Sequence, residues 1–364
     1  MISKKIALFM PSFQPGGAEK NIIYIANYFT KKKYIVDLLV LNDFGILKIY
    51  LNRNVNIINF NVSRSIFSIF KLICYLNNND PIVLISTLRH LNILSIYSKR
   101  FSKSNTKVII RESNVFYPSN NYICNIKNNL LSFIARYSYN NSFKIIAVSK
   151  SVKKSLIQEL NISEKLIDVI YNSINIDEII SKSKEINDHL FLKESNVPTI
   201  LSVGSLTNQK NYSNLLKAFS LVLKRKRCNL IIIGEGNEKN SLIKLSNKLN
   251  IINNVSFVGA VDNPYSFMKL SQLFVLSSNW EGLPNVLIEA LACDMKVVST
   301  DSKGGSCEVL ENGKWGVLVE VNNYEKLSSV ILNVLDQKSY FNAKKRVDFF
   351  SSNKQLQLYE NYII

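Results

Sequence analysis

The chain reads as an α/β protein built from two Rossmann-like, doubly wound domains that face each other across a cleft. Three observations predict this. At 364 residues the chain exceeds one ordinary core. Short apolar runs alternate with amphipathic helical stretches, the order that yields parallel sheets flanked by helices. The same rhythm then restarts after a polar interruption, which predicts a second domain rather than one larger sheet.

The first half offers strands at 5–10, 36–41, 57–60, 82–86, 107–111, 144–148 and 166–170, with helical patterns such as 18–30 and 149–160 between them. These define a first domain over 1–178. A polar segment with few aromatics follows, and 179–196 is the predicted linker. The second domain, 197–341, has strands at 199–203, 229–233, 255–258, 273–276, 296–299 and 316–318. Its helices are predicted at 212–224, 237–249, 285–292 and 324–336. The tail, about 342–364, is an amphipathic helical stretch. Two tandem domains of this kind place ligands outside the carboxyl ends of their strands.

Composition narrows the classes. With 47% hydrophobic residues the chain is not disordered. It has no run of about 18 uncharged apolar residues, so no spanning helix is expected. The start reads as a first buried strand rather than a signal peptide. The five cysteines, Cys74, Cys124, Cys228, Cys293 and Cys307, lack metal or redox spacing, which predicts free thiols in a reducing cytoplasm. The net charge is +18, and residues 1–185 supply +14 of it, from 25 Lys and Arg against 11 Asp and Glu. A basic first half suits anionic lipid, a phosphorylated substrate or nucleic acid. No zinc finger or RNA-binding signature supports nucleic acid.

Several loops at predicted strand ends could carry chemistry. Glu281-Gly282-Leu283-Pro284-Asn285-Val286-Leu287-Ile288-Glu289 follows the strand at 273–276 and runs from a polar loop into a helix that Pro284 can open. The helix start offers N–H groups to a phosphate, and Glu281 and Glu289 can hold sugar hydroxyls on either side. Gly16-Gly17-Ala18-Glu19 follows the first strand and lets backbone approach a phosphate. Val203-Gly204-Ser205 with Lys210-Asn211 occupies the matching place in the second domain, where Lys210 supplies a point charge. Gly234-Glu235-Gly236 and Phe257-Val258-Gly259 end two further strands. Glu112, after Arg111, lies at a strand end, where it either works on a hydroxyl or is bonded to a partner such as Arg111. The Gly-rich loop 301–308 lacks the Walker lysine, and His90 and His189 form no metal cluster.

The order of these motifs resembles the family 4 glycosyltransferases, which have the GT-B fold, and the match runs over nearly the whole chain. The resemblance implies a hexosyltransferase that retains configuration, uses a nucleotide-sugar, here taken to be UDP-linked, and needs no obligatory metal or other cofactor. It implies that Lys210 binds the diphosphate, Glu281 the donor sugar and Glu289 the ribose. Gly16, Gly17 and the backbone of Gly282, Leu283, Pro284, Asn285 and Val286 would line the phosphates or sugar. Gly204 and Ser205 would lie beside the diphosphate, and Gly236 and Gly259 would flank the base. Glu112 falls where an acceptor-side acid or histidine stands. The chain departs at Ser205, where the family usually has arginine, and at Cys293-Asp294-Met295-Lys296, where it usually has Cys-Gly-x-Pro.

The loop 301–308 resembles that of polysaccharide-assembly enzymes that transfer hexoses or N-acetylhexosamines. The resemblance therefore implies a lipid-diphosphate-linked saccharide acceptor for O-antigen, capsule or lipopolysaccharide. It also implies a tail that crosses back onto the first domain. A basic first domain would then sit at the cytoplasmic face of the inner membrane, and residues 65–76 (SIFSIFKLICYL) read either as a core helix or as an interfacial one. The competing readings are a nucleotide-sugar epimerase on the same fold and a basic, non-catalytic module for nucleic acid or membrane.

Overall fold

The structure, a computed structural model, describes residues 4–115, 133–194, 196–302, 304–337 and 343–363. It divides into two compact units, Met1–Ser173 with Ser352–Ile364, and Ile174–Ser351.

The first unit holds seven strands, β1 (Lys5–Met10), β2 (Ile35–Val40), β3 (Asn56–Asn59), β4 (Val83–Thr87), β5 (Lys107–Glu112), β6 (Lys144–Ala147) and β7 (Ile167–Val169). Its helices are α1 (Gly17–Lys31), α2 (Ser68–Asn79), α3 (Arg89–Phe101), α4 (133–140) and α5 (Lys150–Leu160). The sheet order is β3-β2-β1-β4-β5-β6-β7, and every pairing is parallel. Lys5 pairs with Ile35 and the register runs unbroken to Met10 with Val40. Central strands such as β4 are buried along their whole length because helices cover both faces. The core gathers Ile6, Leu8 and Met10 of β1 with Ile22, Ala26 and Phe29 of α1.

The second unit opens with α6 (Ile176–Ser183) and α7 (Leu190–Lys193). Then come β8 (Thr199–Val203), α8 (Tyr212–Leu223), β9 (Asn229–Ile233), α9 (Lys239–Lys248), β10 (Val255–Gly259), α10 (Tyr265–Leu270) and β11 (Leu273–Leu276). It continues with α11 (Asn285–Ala292), β12 (Lys296–Thr300), α12 (Ser306–Val309), β13 (Val317–Val319), α13 (Tyr324–Asp336) and α14 (Lys344–Phe349). Its parallel sheet runs β10-β9-β8-β11-β12-β13. Phe219 of α8 lies fully buried against β9 and α13 residues in this core. Side chains of Asn211 and Asn323 cap α8 and α13 by accepting the N–H of Asn214 and Lys326.

Two expectations need correction. The segment 179–196 is not a free linker. Ile179 is buried, α6 packs on α10 and α11, and Asn263 Nδ2 donates to the Lys182 carbonyl at 2.9 Å. His189 shares a 2.9 Å hydrogen bond with Ser256 Oγ and lies edge-on to Phe191 and Phe267. A polar composition hid the short α6, which buries Ile179 and Ser183, while Ile186 and Leu190 of the same segment stay exposed. By packing, the first unit ends at Ser173. The tail is likewise not one helix. α14 stays in the second unit, whereas α15 (Ser352–Gln357) and a 3₁₀ turn (Leu358–Tyr362) belong to the first. There Tyr28 OH donates to Glu360 at 2.5 Å, Tyr362 OH donates to Asp168 at 2.8 Å, and Leu356, Tyr359 and Ile363 enter the core.

Cys124, Ser195 and Lys303 lie outside the described residues. Among the others, Cys74 is exposed while burial pushes the thiols of Cys228 and Cys293 up to about 12. Under mildly alkaline native conditions an alkylating reagent is expected to modify Cys74 rapidly and to spare Cys228 and Cys293 until denaturant is added. Peptide mapping by mass spectrometry checks this. Equal native labelling of the three would contradict the packing described.

Candidate active site

In the second sheet, strands after β8 are added on one side and strands after β11 on the other. The order reverses between β8 and β11, and ligands of doubly wound sheets bind at the carboxyl ends beside such a reversal. The two loops that leave these strands are tied together. Asn279 N donates to the Gln209 carbonyl at 2.8 Å, Ser277 Oγ to the Lys210 carbonyl at 2.9 Å, and Gln209 Nε2 to the Trp280 carbonyl at 3.0 Å. Asn211, left-handed at φ 49°, reaches Asn279 at 2.9 Å and Asn322 at 2.7 Å. Asn tolerates this conformation better than other non-glycine residues.

This frame sets Lys210 Nζ 2.5 Å from Glu281 Oε1. Ser278 Oγ donates to the same oxygen at 2.6 Å, and Thr300 Oγ1 fixes Ser278 through its carbonyl at 2.6 Å. The side chains of Lys210 and Glu281 are 15% and 7% exposed, so the pair lies in a largely desolvated setting where charge acts strongly. Beside it, Tyr212 OH donates to the Gly204 carbonyl at 3.0 Å, and burial holds this phenol protonated.

Glu281 leads through the buried Gly282 and Leu283 into α11. Pro284 is not the first helical residue but the extended residue before it, at φ −75° and ψ 93°, and no side chain caps the helix. Asn285 and Val286 form the opening turn, whose N–H groups favour an anion. Glu289 lies one turn further along α11, 3.4 Å from Tyr265 OH. Gly236 and Gly259 follow β9 and end β10 at the same sheet edge. There the Leu206 N–H donates to the Glu235 carbonyl at 2.9 Å and the Gly234 N–H to the Gly259 carbonyl at 2.8 Å. Ser205 is exposed between Gly204 and Leu206. The sequence-predicted residues of this domain thus share one edge of one sheet.

The Gly-rich loop 301–308 supports Glu281 from behind. Gly304, at φ 134°, packs so closely that a Cβ there would lie 1.7 Å from the Glu281 carbonyl oxygen.

In the first unit the order reverses between β1 and β4. Gly16 is the residue before α1 and Gly17 is exposed. The Glu19 carboxylate curls over Gly16, with Oε2 at 2.0 Å from the position of a Cβ, and burial raises its pKa. A side-chain carboxyl therefore already stands at the helix start proposed for phosphate. Across the reversal, Leu88 adopts φ 69° just before α3, an uncommon backbone for a bulky residue.

Glu112 is a partner-bonded carboxylate. Its side chain is 4% exposed. Tyr139 OH donates to Oε2 at 2.6 Å, the Asn114 N–H donates to Oε1 at 3.3 Å, and Arg89 Nε lies 3.8 Å from Oε2. Burial, then the charge of Glu112, drives the Tyr139 pKa well above that of an ordinary phenol, so Tyr139 remains the donor. Arg111 is not the partner of Glu112. Its guanidinium turns to Ser113 at 2.9 Å and to Asn172.

Ser278, Thr300, Tyr265, and the partners Asn279 and Asn322 of Asn211, escaped the sequence reading. Ser278 and Asn279 lie three and two residues before Glu281, a spacing that could have flagged them. Thr300, Tyr265 and Asn322 come from distant elements and carried no local signal. Among the described residues, no group of three His, Cys, Asp or Glu side chains is arranged to hold a metal.

Comparison with known proteins places this geometry. Residues 183–355 match the family model for glycosyl transferases group 1, and residues 15–178 match that for Glycosyltransferase Family 4. The chain is 33% identical to the N-acetylgalactosamine-N,N'-diacetylbacillosaminyl-diphospho-undecaprenol 4-alpha-N-acetylgalactosaminyltransferase of Campylobacter jejuni. That alignment covers 72% of this chain and 71% of the relative. It is 29% identical to the capsular polysaccharide biosynthesis glycosyltransferase CapH of Staphylococcus aureus, over 58% of this chain and 56% of the relative. Among solved structures, HepE of Anabaena in complex with UDP-glucose superposes with a TM-score of 0.77 at 19% identity, covering 98% of this chain and 95% of that one, which shows the shared fold. On this evidence of sequence and architecture, the chain belongs to glycosyltransferase family 4 and has the two Rossmann-like domains of the GT-B fold.

Proposed function

We propose that the protein transfers a hexose or N-acetylhexosamine from a UDP-sugar, with retention, to a lipid-diphosphate-linked saccharide in surface polysaccharide assembly. The observation that carries this reading is the Lys210–Glu281 pair at the strand-order reversal of the second sheet, beside the uncapped start of α11. A diphosphate at that helix start would meet N–H groups and the Lys210 ammonium together. As the bond from the sugar C1 to the diphosphate oxygen breaks, charge grows on the leaving phosphate, and Lys210 is the preorganised cation that offsets it. The acceptor oxygen bonds to C1 on the same face, and its proton passes to the departing phosphate oxygen. Glu281 holds Lys210 in place and offers the remainder of its carboxylate to sugar hydroxyls. Glu289, steadied by Tyr265, holds the ribose. Glu112 is given no proton to move, because Tyr139 and Arg89 already occupy its carboxylate.

The lipid-linked acceptor is supported by the diphospho-undecaprenol saccharide named for the Campylobacter relative, and the UDP-sugar by the ligand of the HepE structure. Both are carried by similarity. We further take the protein to act at the cytoplasmic face of the inner membrane, without a cofactor and without nucleic acid as a partner.

A thermal-shift panel of nucleotide-sugars tests the donor. At about 100 times its Kd a ligand stabilises by roughly 2.7 kcal/mol, a shift of a few degrees in a chain of this size. UDP and one UDP-sugar are expected to produce it, and GDP, ADP and TDP sugars are not. If no nucleoside diphosphate stabilises the protein, the donor reading fails. Conversion of the sugar nucleotide with no acceptor present would instead reveal an epimerase.

A further inference from the structure

The first unit carries an apolar surface that its own fold does not use. α2 buries Leu72, Tyr75 and Leu76 and packs on α3. The 3₁₀ turn before it (Ser65–Phe67) and its own first turn do the opposite: Ile66 and Phe67 are 56% exposed and Phe70 is 77% exposed. Phe67, Phe70 and Lys71 stand three and four residues apart and so share one face. Phe44 and Ile46, also exposed, lie on the neighbouring loop after β2. That loop is tied to the chain after β3, because the Val62 N–H donates to the Leu41 carbonyl at 3.1 Å and Asn42 Nδ2 to the Val62 carbonyl at 2.9 Å.

Charge identifies what this surface meets. Residues 44–79 contain Lys48, Arg53, Arg64 and Lys71 and no Asp or Glu. All four cations are exposed; among the described residues only Lys48 has a carboxylate partner, Asp43 at 2.8 Å, and Lys71 Nζ donates to the Phe60 carbonyl. Exposed aromatic residues among unopposed cations fit the boundary between headgroups and acyl chains of an anionic bilayer. The same loops reach the glycine turn after β1: the Phe13 N–H donates to the Phe44 carbonyl and the Leu47 N–H to the Phe13 carbonyl, both at 2.9 Å.

We propose that this face is a bilayer-docking surface, with Ile66, Phe67 and Phe70 entering an anionic leaflet and Arg53, Arg64 and Lys71 on its lipid phosphates. The proposal deepens the reading that the acceptor is lipid-linked, since docking here sets the loop before Gly16 at the membrane surface.

The test is co-sedimentation of the full chain with vesicles of phosphatidylcholine alone and of phosphatidylcholine mixed with phosphatidylglycerol. The protein is expected to sediment with the anionic vesicles and to leave them at high salt. The double variant Phe67→Ser, Phe70→Ser is expected to bind roughly tenfold or more weakly, and Arg64→Glu to lose the preference for phosphatidylglycerol. Both should keep the wild-type melting temperature and the wild-type shift with UDP. Vesicle binding by the double variant equal to that of wild type would overturn the proposal. So would a wild-type dimer in light scattering that the double variant dissociates, because a second copy would then own the patch. Vesicle binding is read without donor or acceptor, so a failed donor panel and a failed docking surface remain separable.

Discussion

Lys210→Ala is expected to lower kcat/KM for sugar transfer by roughly 10²–10³-fold, the loss typical when one preorganised donor to a developing anion is removed. The substitution acts on stability as well. Glu281 would keep only Ser278 Oγ as a partner among those described above, in a site where its side chain is 7% exposed. Breaking a buried pair from one side destabilises by about 3–5 kcal/mol, so unfolding must be measured beside turnover. Glu281→Gln separates the two effects, because it removes the charge but keeps the shape and the acceptor for Lys210. The expected result is a milder loss of stability with a comparable loss of turnover. Lys210→Arg should not rescue, since a planar fork replaces a compact charge. Denaturant melts together with steady-state kinetics decide the matter. Turnover within a few-fold of wild type in Lys210→Ala would remove this lysine from the mechanism.

Gly304→Ala is expected to be nearly as damaging, although Gly304 has no side chain to lose. Two penalties combine. At φ 134° an alanine is strained, by an amount on the order of 1–3 kcal/mol. Its Cβ would also stand 1.7 Å from the Glu281 carbonyl, so the strand-end loop that carries Glu281 must move. A shift of about 1 Å in a catalytic constellation can lower the rate about 10²-fold. Gly313→Ala provides the comparison. It has φ 93°, but the nearest atom to its Cβ would be 3.6 Å away, so strain appears there without displacement of a neighbour. A loss of transfer in Gly304→Ala with transfer kept in Gly313→Ala, at similar melting temperatures, is the expected pattern. Equal activities in the two variants would show that the loop behind Glu281 does not position it.

Much of the fold was legible because parallel strands buried on both faces announce themselves as apolar runs. β1, β8, β9 and β11 begin and end where the sequence puts them, and the remaining strands shift by a residue or two. Helix ends were also readable where Asn or Pro stands at the start, as at Asn211 and Pro284. What composition concealed was partnership. The polar run at 179–196 looked unattached because the surfaces that bury Ile179 and flank His189 come from residues far along the chain, such as Phe267. Glu112 looked available because nothing nearby in sequence predicted that Tyr139 would donate to it.

The sequence by itself determined the alternation of strand and helix, the restart that makes two domains, the basic first half, and the set of loops that leave strand ends. Each is local: burial period, turn chemistry and charge are written within a few residues of where they act. Which loops meet was decided by tertiary structure. Lys210 and Glu281 are 71 positions apart, and they touch because β8 and β11 are neighbours at the point where the strand order reverses. All the central strands are similarly apolar, so no residue within one of them names its neighbour. That choice belongs to the packed sheet as a whole, and with it the pairing of the two charges.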